Sequence, residues 1–172
     1  MYTIERLVRG GPATIDHPIE HLLACHDRIE ERLKVLERAA EHLESRPEEA
    51  CAALQACFRY LETSGVLHTA DEEESVFPRM RGRISAQEEE YLALAGLEAQ
   101  HREADALYAE LRQGPGDVAR YRDVVARFCA LYREHISTEN RDLVEAARRV
   151  LREGELHAIA GEMKRRRGLI PG

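Results

Sequence analysis

His68-Thr-Ala-Asp-Glu72-Glu-Glu-Ser-Val-Phe-Pro78 sets a histidine and a carboxylate four residues apart. On a helix both side chains leave the same face, one turn apart. A second copy, His135-Ile-Ser-Thr-Glu139, follows 67 residues later. Two such pairs read as ligands of one shared metal centre. Spacing alone does not decide the matter, because a third copy runs from His26 to Glu30. A chain with eight histidines and abundant glutamate carries about one H-x-x-x-E by composition alone. The pattern around each pair has to separate ligand from coincidence.

The chain is 172 residues long, the size of one ordinary domain with a real core. Ala, Leu, Glu and Arg dominate, Gly and Pro sit in clusters, and no convincing run of alternating β-branched residues occurs, which is a helical composition. A net charge of -7, with no basic face before the tail, argues against nucleic acid as a partner. No apolar run approaches the ~20 residues of a membrane span, so no membrane partner is expected. Residues 1 to 11 carry charges and no signal-peptide core, and the expected location is the cytoplasm. Cys25, Cys51, Cys57 and Cys129 form no C-x-x-C and read as packed, reduced thiols.

Periodicity predicts an all-α chain: an up-down-up-down four-helix bundle with a short additional C-terminal helix. Residues 1–15 read as an N-terminal arm, 16–152 as the bundle, and 153–172 as the short C-terminal helix and basic tail. Asp16 is the expected N-cap of a first helix, with Pro18 in its first turn. That helix carries the apolar seam Ile19, Leu22, Ile29, Leu33, Leu36, Ala40, Leu43, with His26 inside it. The second starts near Pro47-Glu48-Glu49 and carries Ala50, Leu54, Cys57, Leu61, then His68, Glu72 and Val76. Ser64-Gly65 is expected to kink it, and Phe77-Pro78 to end it. The third opens on the capping box Ser85-Ala-Gln-Glu88 and carries Leu94, Leu97, His101, Ala104, Tyr108 and Leu111 to the stop Gly114-Pro115-Gly116. The fourth follows Asp117 with Tyr121, Phe128, Leu131, His135 and Glu139. The last carries Leu156, Ile159 and Met163, and Arg165-Arg166-Arg167 reads as a solvated run.

Seam position sorts the candidates. His26, His68, His101 and His135 occupy core slots, one per helix, and so do Glu72 and Glu139. Glu30 sits on the flank, and His17, His21, His42 and His157 lie off the seams. Buried carboxylates without compensation cost several kcal/mol each. A hydrogen-bonded polar layer, or a bundle wide enough to wet its histidines, would satisfy such groups, but four histidines and two carboxylates together favour a metal. Helix rise puts His26 and His68 at one height of an antiparallel pair, while His101 and His135 are out of step unless their hairpin is staggered.

Four imidazoles and two carboxylates without thiolate suit iron or manganese over calcium, and exceed the needs of one structural zinc. If each carboxylate bridges two ions and one bridging oxygen is added, about ten of twelve octahedral positions are filled, which leaves room for a small exogenous ligand. The ferritin-like arrangement wants Glu-x-x-His on two helices. Glu98-Ala-Gln-His101 supplies one and no second is present.

The order His26, then His68-x-x-x-Glu72 with Glu73 and Phe77-Pro78, then His101, then His135-x-x-x-Glu139-Asn140, resembles the hemerythrin-like, or HHE cation-binding, family over roughly Asp16 to Val150. The resemblance implies a non-haem di-iron centre, oxo- or hydroxo-bridged, with Glu72 and Glu139 as bridges and the four histidines terminal. Manganese or zinc are substitutes. Oxygen-carrying hemerythrins have H-x-x-x-H on the third helix and an aspartate as second bridge. This chain has His101 with Asp105 in the later slot, and Glu139 in place of aspartate. One coordination position is therefore open or filled by another side chain, for which Glu98 and Asp105, then His21 and His17, are the candidates. The implied function is binding or reduction of a small oxidant (O₂, NO or peroxide). The alternative is an iron- or oxygen-sensing module, without turnover, in which the metal state controls binding of a redox or signalling protein partner. The last helix and its basic tail are then the reporting surface. Nothing in the sequence selects an oligomeric state.

Overall fold

The computed structural model describes residues 15–171, and the expected arm over 1–15 lies outside them except for buried Ile15. Among the described residues the chain forms five helices and no strand. Helix α1 is Pro18–Glu41. Helix α2, residues 47–81, is a relay of Pro47–Tyr60, a π turn Leu61–Gly65, Val66–Ala70, a second π turn Asp71–Val76, and Phe77–Arg81. Helix α3, residues 86–111, is Ala86–Leu92 followed by Leu94–Leu111. Helix α4, residues 118–150, is Val118–Thr138, a π turn Glu139–Leu143, and Val144–Val150. Helix α5 is Glu153–Arg166.

The helices start where expected, near Pro18, Pro47, Ser85 and Asp117, and of three expected side-chain caps two form and one does not. Ser85 accepts from Glu88 N while the Glu88 side chain accepts from Ser85 N, a capping box. Asp117 accepts from Arg120 N at 3.0 Å. The N-cap of α1, however, is His17 with no side-chain cap. Asp16 instead takes the ammonium of Lys164 from α5.

The expected kink at Ser64-Gly65 takes the form of a π turn, a one-residue widening that keeps the helix running. Phe77-Pro78 does not end α2. Pro78 falls in the first turn after the second π turn, where the change of hydrogen-bond register removes the need for its N–H, and the helix continues to Arg81.

Helix α3 breaks at Ala93, which sits at φ 49°, ψ 43°. A left-handed L-residue costs about 1–2 kcal/mol, and glycine escapes that cost at about 0.5–1 kcal/mol of extra chain entropy. Ala93→Gly is therefore expected to stabilise the chain by about 0.5–1 kcal/mol, read as a higher urea midpoint. A lower midpoint would contradict the strain.

The third hairpin connection, 112–117, turns through Gly114 at φ 87°. His101 lies about 15 Å before the end of α3, and His135 about 25 Å after the start of α4, at 1.5 Å per residue. Their Nε2 atoms nevertheless meet at 3.0 Å. The hairpin is staggered, with the start of α4 running on to the end of α1, where Arg122 donates to the carbonyls of Ala40 and Glu41.

The apolar side chains fall into two clusters. One gathers Leu33, Leu36, Leu54, Phe58, Leu111 and Phe128 at the far end of the bundle. The other gathers Ile19, Leu22, Phe77, Met80, Leu97 and Leu143 with Ile159 and Met163 of α5. In each of α1 to α4, the expected polar core residues lie between members of the two clusters: His26 between Leu22 and Ile29, His101 between Leu97 and Ala104. The bundle is thus two apolar blocks with one polar layer between them.

Candidate metal centre

Each H-x-x-x-E closes on itself as helix spacing predicts. His68 Nε2 lies 3.0 Å from Glu72 Oε1, and His135 Nε2 lies 3.2 Å from Glu139 Oε2. In both copies the glutamate falls in a π turn, Asp71–Val76 or Glu139–Leu143. Such turns cluster at functional sites because they re-aim one side chain without ending the helix. His26 Nε2 from α1 reaches Glu139 Oε2 at 3.1 Å and Glu72 Oε1 at 3.5 Å, and His101 Nε2 from α3 reaches Glu72 Oε2 at 3.4 Å. All six side chains are buried, and both carboxylates are 0 % exposed.

The ligand atoms form two overlapping sets, His26, His68, Glu72 and Glu139, and Glu72, His101, His135 and Glu139, each within 4.8 Å. Each set takes its two histidines from one hairpin and shares both glutamates. Glu30, Glu98, Asp105, His17 and His21 belong to neither. Glu98 takes Arg81 Nη1 at 2.8 Å, and Glu30 takes Arg133. Asp105 and His17 are exposed. His21, expected at the surface, is 4 % exposed and stands 3.6 Å from Cys25 Sγ. It reaches the interior because α5 packs against this end of α1, where Arg167 stands near it. Cys51 is likewise exposed rather than packed.

Seven buried side-chain nitrogen or oxygen atoms among the described residues have no hydrogen-bond partner. Six are in this layer: His26 Nε2, His68 Nδ1 and both oxygens of Glu72 and Glu139. Native interiors leave few such orphans, and here five of the six converge, while His68 Nδ1 is on the far side of a ring whose Nε2 meets Glu72. Three of the four outward nitrogens are served: His26 Nδ1 donates to Asn140 Oδ1 at 2.7 Å, His101 Nδ1 to Glu73 Oε1 at 2.8 Å, and His135 Nδ1 to Gln100 Oε1 at 3.0 Å. An acceptor behind Nδ1 fixes the ring and its tautomer and turns the Nε2 lone pair inward, the usual support of a metal-bound histidine. Asn140 and Glu73 stand in the motif, though Glu73 reads as exposed in sequence. Gln100 carries no sequence signal beyond adjacency to His101.

Without a cation the layer is electrostatically tense. Burial acts against the His26 imidazolium, but Glu139 and Glu72 outweigh it and hold its pKa well above 6.5. Burial likewise opposes the His101 imidazolium, and Glu72 and Glu73 raise it to about 9. Burial wins at His68, pushed down to about 4. Burial works against the Glu72 carboxylate, yet His68, His101 and His26 keep it well below the ordinary range. Imidazolium protons thus stand where a metal would, and the donor set fits first-row metal ions.

Beside the layer, between α2, α3 and α4, lies a cavity of about 300 Å³ lined by Gly65, Thr69, Glu73, Ala104, Phe128 and Tyr132 and by none of the six polar core residues. Tyr132 stands one turn before His135, with ring centroids 6.5 Å apart. Among the described residues no helix is long and apolar enough to cross a membrane. A search of the curated proteins finds no match. The family model for the hemerythrin HHE cation binding domain matches residues 17–147 and spans all four bundle helices, so the chain belongs to that family of metal-binding helical domains.

Proposed function

We propose that the chain is a non-haem di-iron protein that binds or reduces a small oxidant: O₂, NO or peroxide. The observation that carries this reading is the pair of four-ligand sets sharing Glu72 and Glu139, which provides for two cations side by side. His26 and His68 would hold one and His101 and His135 the other. A bound iron pair supplies up to two electrons to an oxidant at adjacent positions.

The chain's own residues supply the rest. Asn140, Glu73 and Gln100 hold three imidazoles in the ligating tautomer. The two apolar clusters exclude bulk water above and below the layer. The cavity admits a molecule of a few atoms, and Phe128 and Ala104 give it an apolar wall suited to a neutral diatomic. Manganese or zinc would satisfy the same donors, zinc without the redox step.

The test is metal content after purification, expected at two irons per chain, with His68→Ala as the variant that loses them. O₂, NO and peroxide are then added to the loaded protein. A spectrum unmoved by all three would sink the reactive part of the proposal. A second reading, in which metal occupancy is reported to a redox or signalling partner, is favoured by one observation: α5 packs on the turn that carries Glu72.

A further inference from the structure

Of the basic run that reads as solvated, Arg165 is exposed and the other two arginines are docked. Arg166 and Arg167, at the end of α5, lie against the outer face of the Asp71–Val76 turn. Asp71, immediately before Glu72, is 0 % exposed. Both its oxygens are taken: Arg166 Nη1 donates to Oδ1 at 2.9 Å, and Arg167 donates to Oδ1 at 3.2 Å and to Oδ2 at 2.6 Å. Paired, fork-shaped contacts of this kind fix orientation as well as charge. One turn further on, buried Ser75 accepts from Arg166 Nη2 at 2.7 Å and donates to Glu162 Oε2 at 2.6 Å. Arg79 closes the ring onto the same Glu162 at 2.7 and 3.0 Å.

The turn therefore has two buried faces. Glu72 and Val76 face the bundle, while Asp71 and Ser75 face α5. A π turn is a local departure from regular helix geometry, so the side chains that grip its outer face govern where its inner face points. The segment matched by the family ends at residue 147, before α5 begins at Glu153. The grip comes from outside the matched domain.

We infer that Arg166 and Arg167 are positioning residues for the metal centre: through Asp71 they fix the turn that aims Glu72 into both ligand sets. The inference rests on the di-iron reading and adds a part to it. Because Glu72 belongs to both sets, loosening the grip acts on both metals together. The coupling is reciprocal by linkage. Whatever factor the docked α5 adds to metal affinity, bound metal adds to the docking of α5, and the C-terminal basic residues become less accessible when the centre is full.

The experiment compares four chains loaded with Fe(II) without oxygen: wild type, Arg166→Gln with Arg167→Gln, Asp71→Asn, and Met163→Ala. Met163 is fully buried in α5 and meets the clamp through its backbone carbonyl, which takes Arg167 Nη1 at 2.9 Å and is kept when the side chain is truncated, so Met163→Ala weakens the helix packing and leaves that bond in place. Iron release to a chelator and amide hydrogen exchange across 71–76 and α5 are followed, with and without metal. The clamp variants are expected to lose both irons about 10–100-fold faster than wild type and to exchange faster at 71–76 even when metal-free. Metal should slow exchange in α5 of the wild type and not in the clamp variants. Met163→Ala should keep a release rate within about threefold of wild type, well short of the change expected from losing ligand support. Wild-type release rates in both clamp variants, or equally fast release from Met163→Ala, would overturn this role alone. A wild-type chain that takes up no iron would instead remove the di-iron reading, and this role with it.

Discussion

Replacing Glu72 and Glu139 together by leucine will make the metal-free chain more stable, by about 1–4 kcal/mol, and will abolish metal binding. Both carboxylates are 0 % exposed, and none of their four oxygens has a hydrogen-bond partner. Burial and then the Glu72 charge work against the Glu139 carboxylate, and His135 and His26 outweigh them to hold its pKa below the ordinary carboxylate value. The imidazolium protons of His26 and His101 offset part of this, and with the carboxylates gone those rings revert to neutral, a state their burial favours. Leucine fills a similar volume and joins the apolar blocks on either side. For a chain of this size the gain amounts to roughly 2–4 °C of melting temperature per kcal/mol. The comparison is between metal-free proteins, with iron added afterwards to each. Iron should then raise the wild-type midpoint and leave the variant unmoved. A variant that melts below the metal-free wild type would show that the layer stabilises the fold in its own right.

Raising pH from about 6.5 to about 9 will weaken the metal-free fold and strengthen its hold on metal, two slopes of opposite sign. His101 has its folded pKa raised to about 9, and His26 is held well above 6.5. Groups raised in this way contribute stability that is complete below 6.5 and is lost as pH climbs through the folded values. Metal binding must expel the same protons, so apparent affinity rises about tenfold per pH unit for each proton still bound. On the acid side, burial holds His68 at about 4 and His21 at about 3, both neutral in the fold. The unfolded chain then binds protons that the folded one refuses, and stability falls below 6.5 as well. Denaturant midpoints of the metal-free protein at about pH 5, 6.5 and 9 should pass through a maximum, while calorimetry in two buffers should register proton release on loading. A midpoint still climbing at pH 9 would contradict the assignment.

Most of the bundle was legible because its signals are local. Ser85 with Glu88, Asp117, and the 3-4 spacing of Ile29, Leu33 and Leu36 each decide a helix within a few residues. The six polar core positions could be read for the same reason: a seam is a period, and a histidine falls on it or beside it. What could not be read depends on partners distant in the chain. Nothing near Asp16 announces Lys164, and nothing near Asp71 announces Arg166 and Arg167. Pro78 ends a regular helix by a sound local rule, and the rule fails because the preceding π turn shifts the register. His21 lies off the bundle seam, yet α5 packs against that end of α1. Gln100 supports His135 across 35 residues of chain, a contact that only the staggered hairpin creates.

The crossing of the two carboxylates has a mechanical consequence. Each half of the chain brings two histidines and one glutamate, and neither half can complete a four-ligand set without the glutamate of the other. A metal in either set is therefore a rivet between the halves, fastening residues before the 82–85 turn to residues after it. Stripping the centre would leave the halves joined by the two apolar blocks, which both span them, and would slacken the joint only at the polar layer between. The pull of a filled centre runs across the bundle, through Glu72 and Glu139, and not along any single helix.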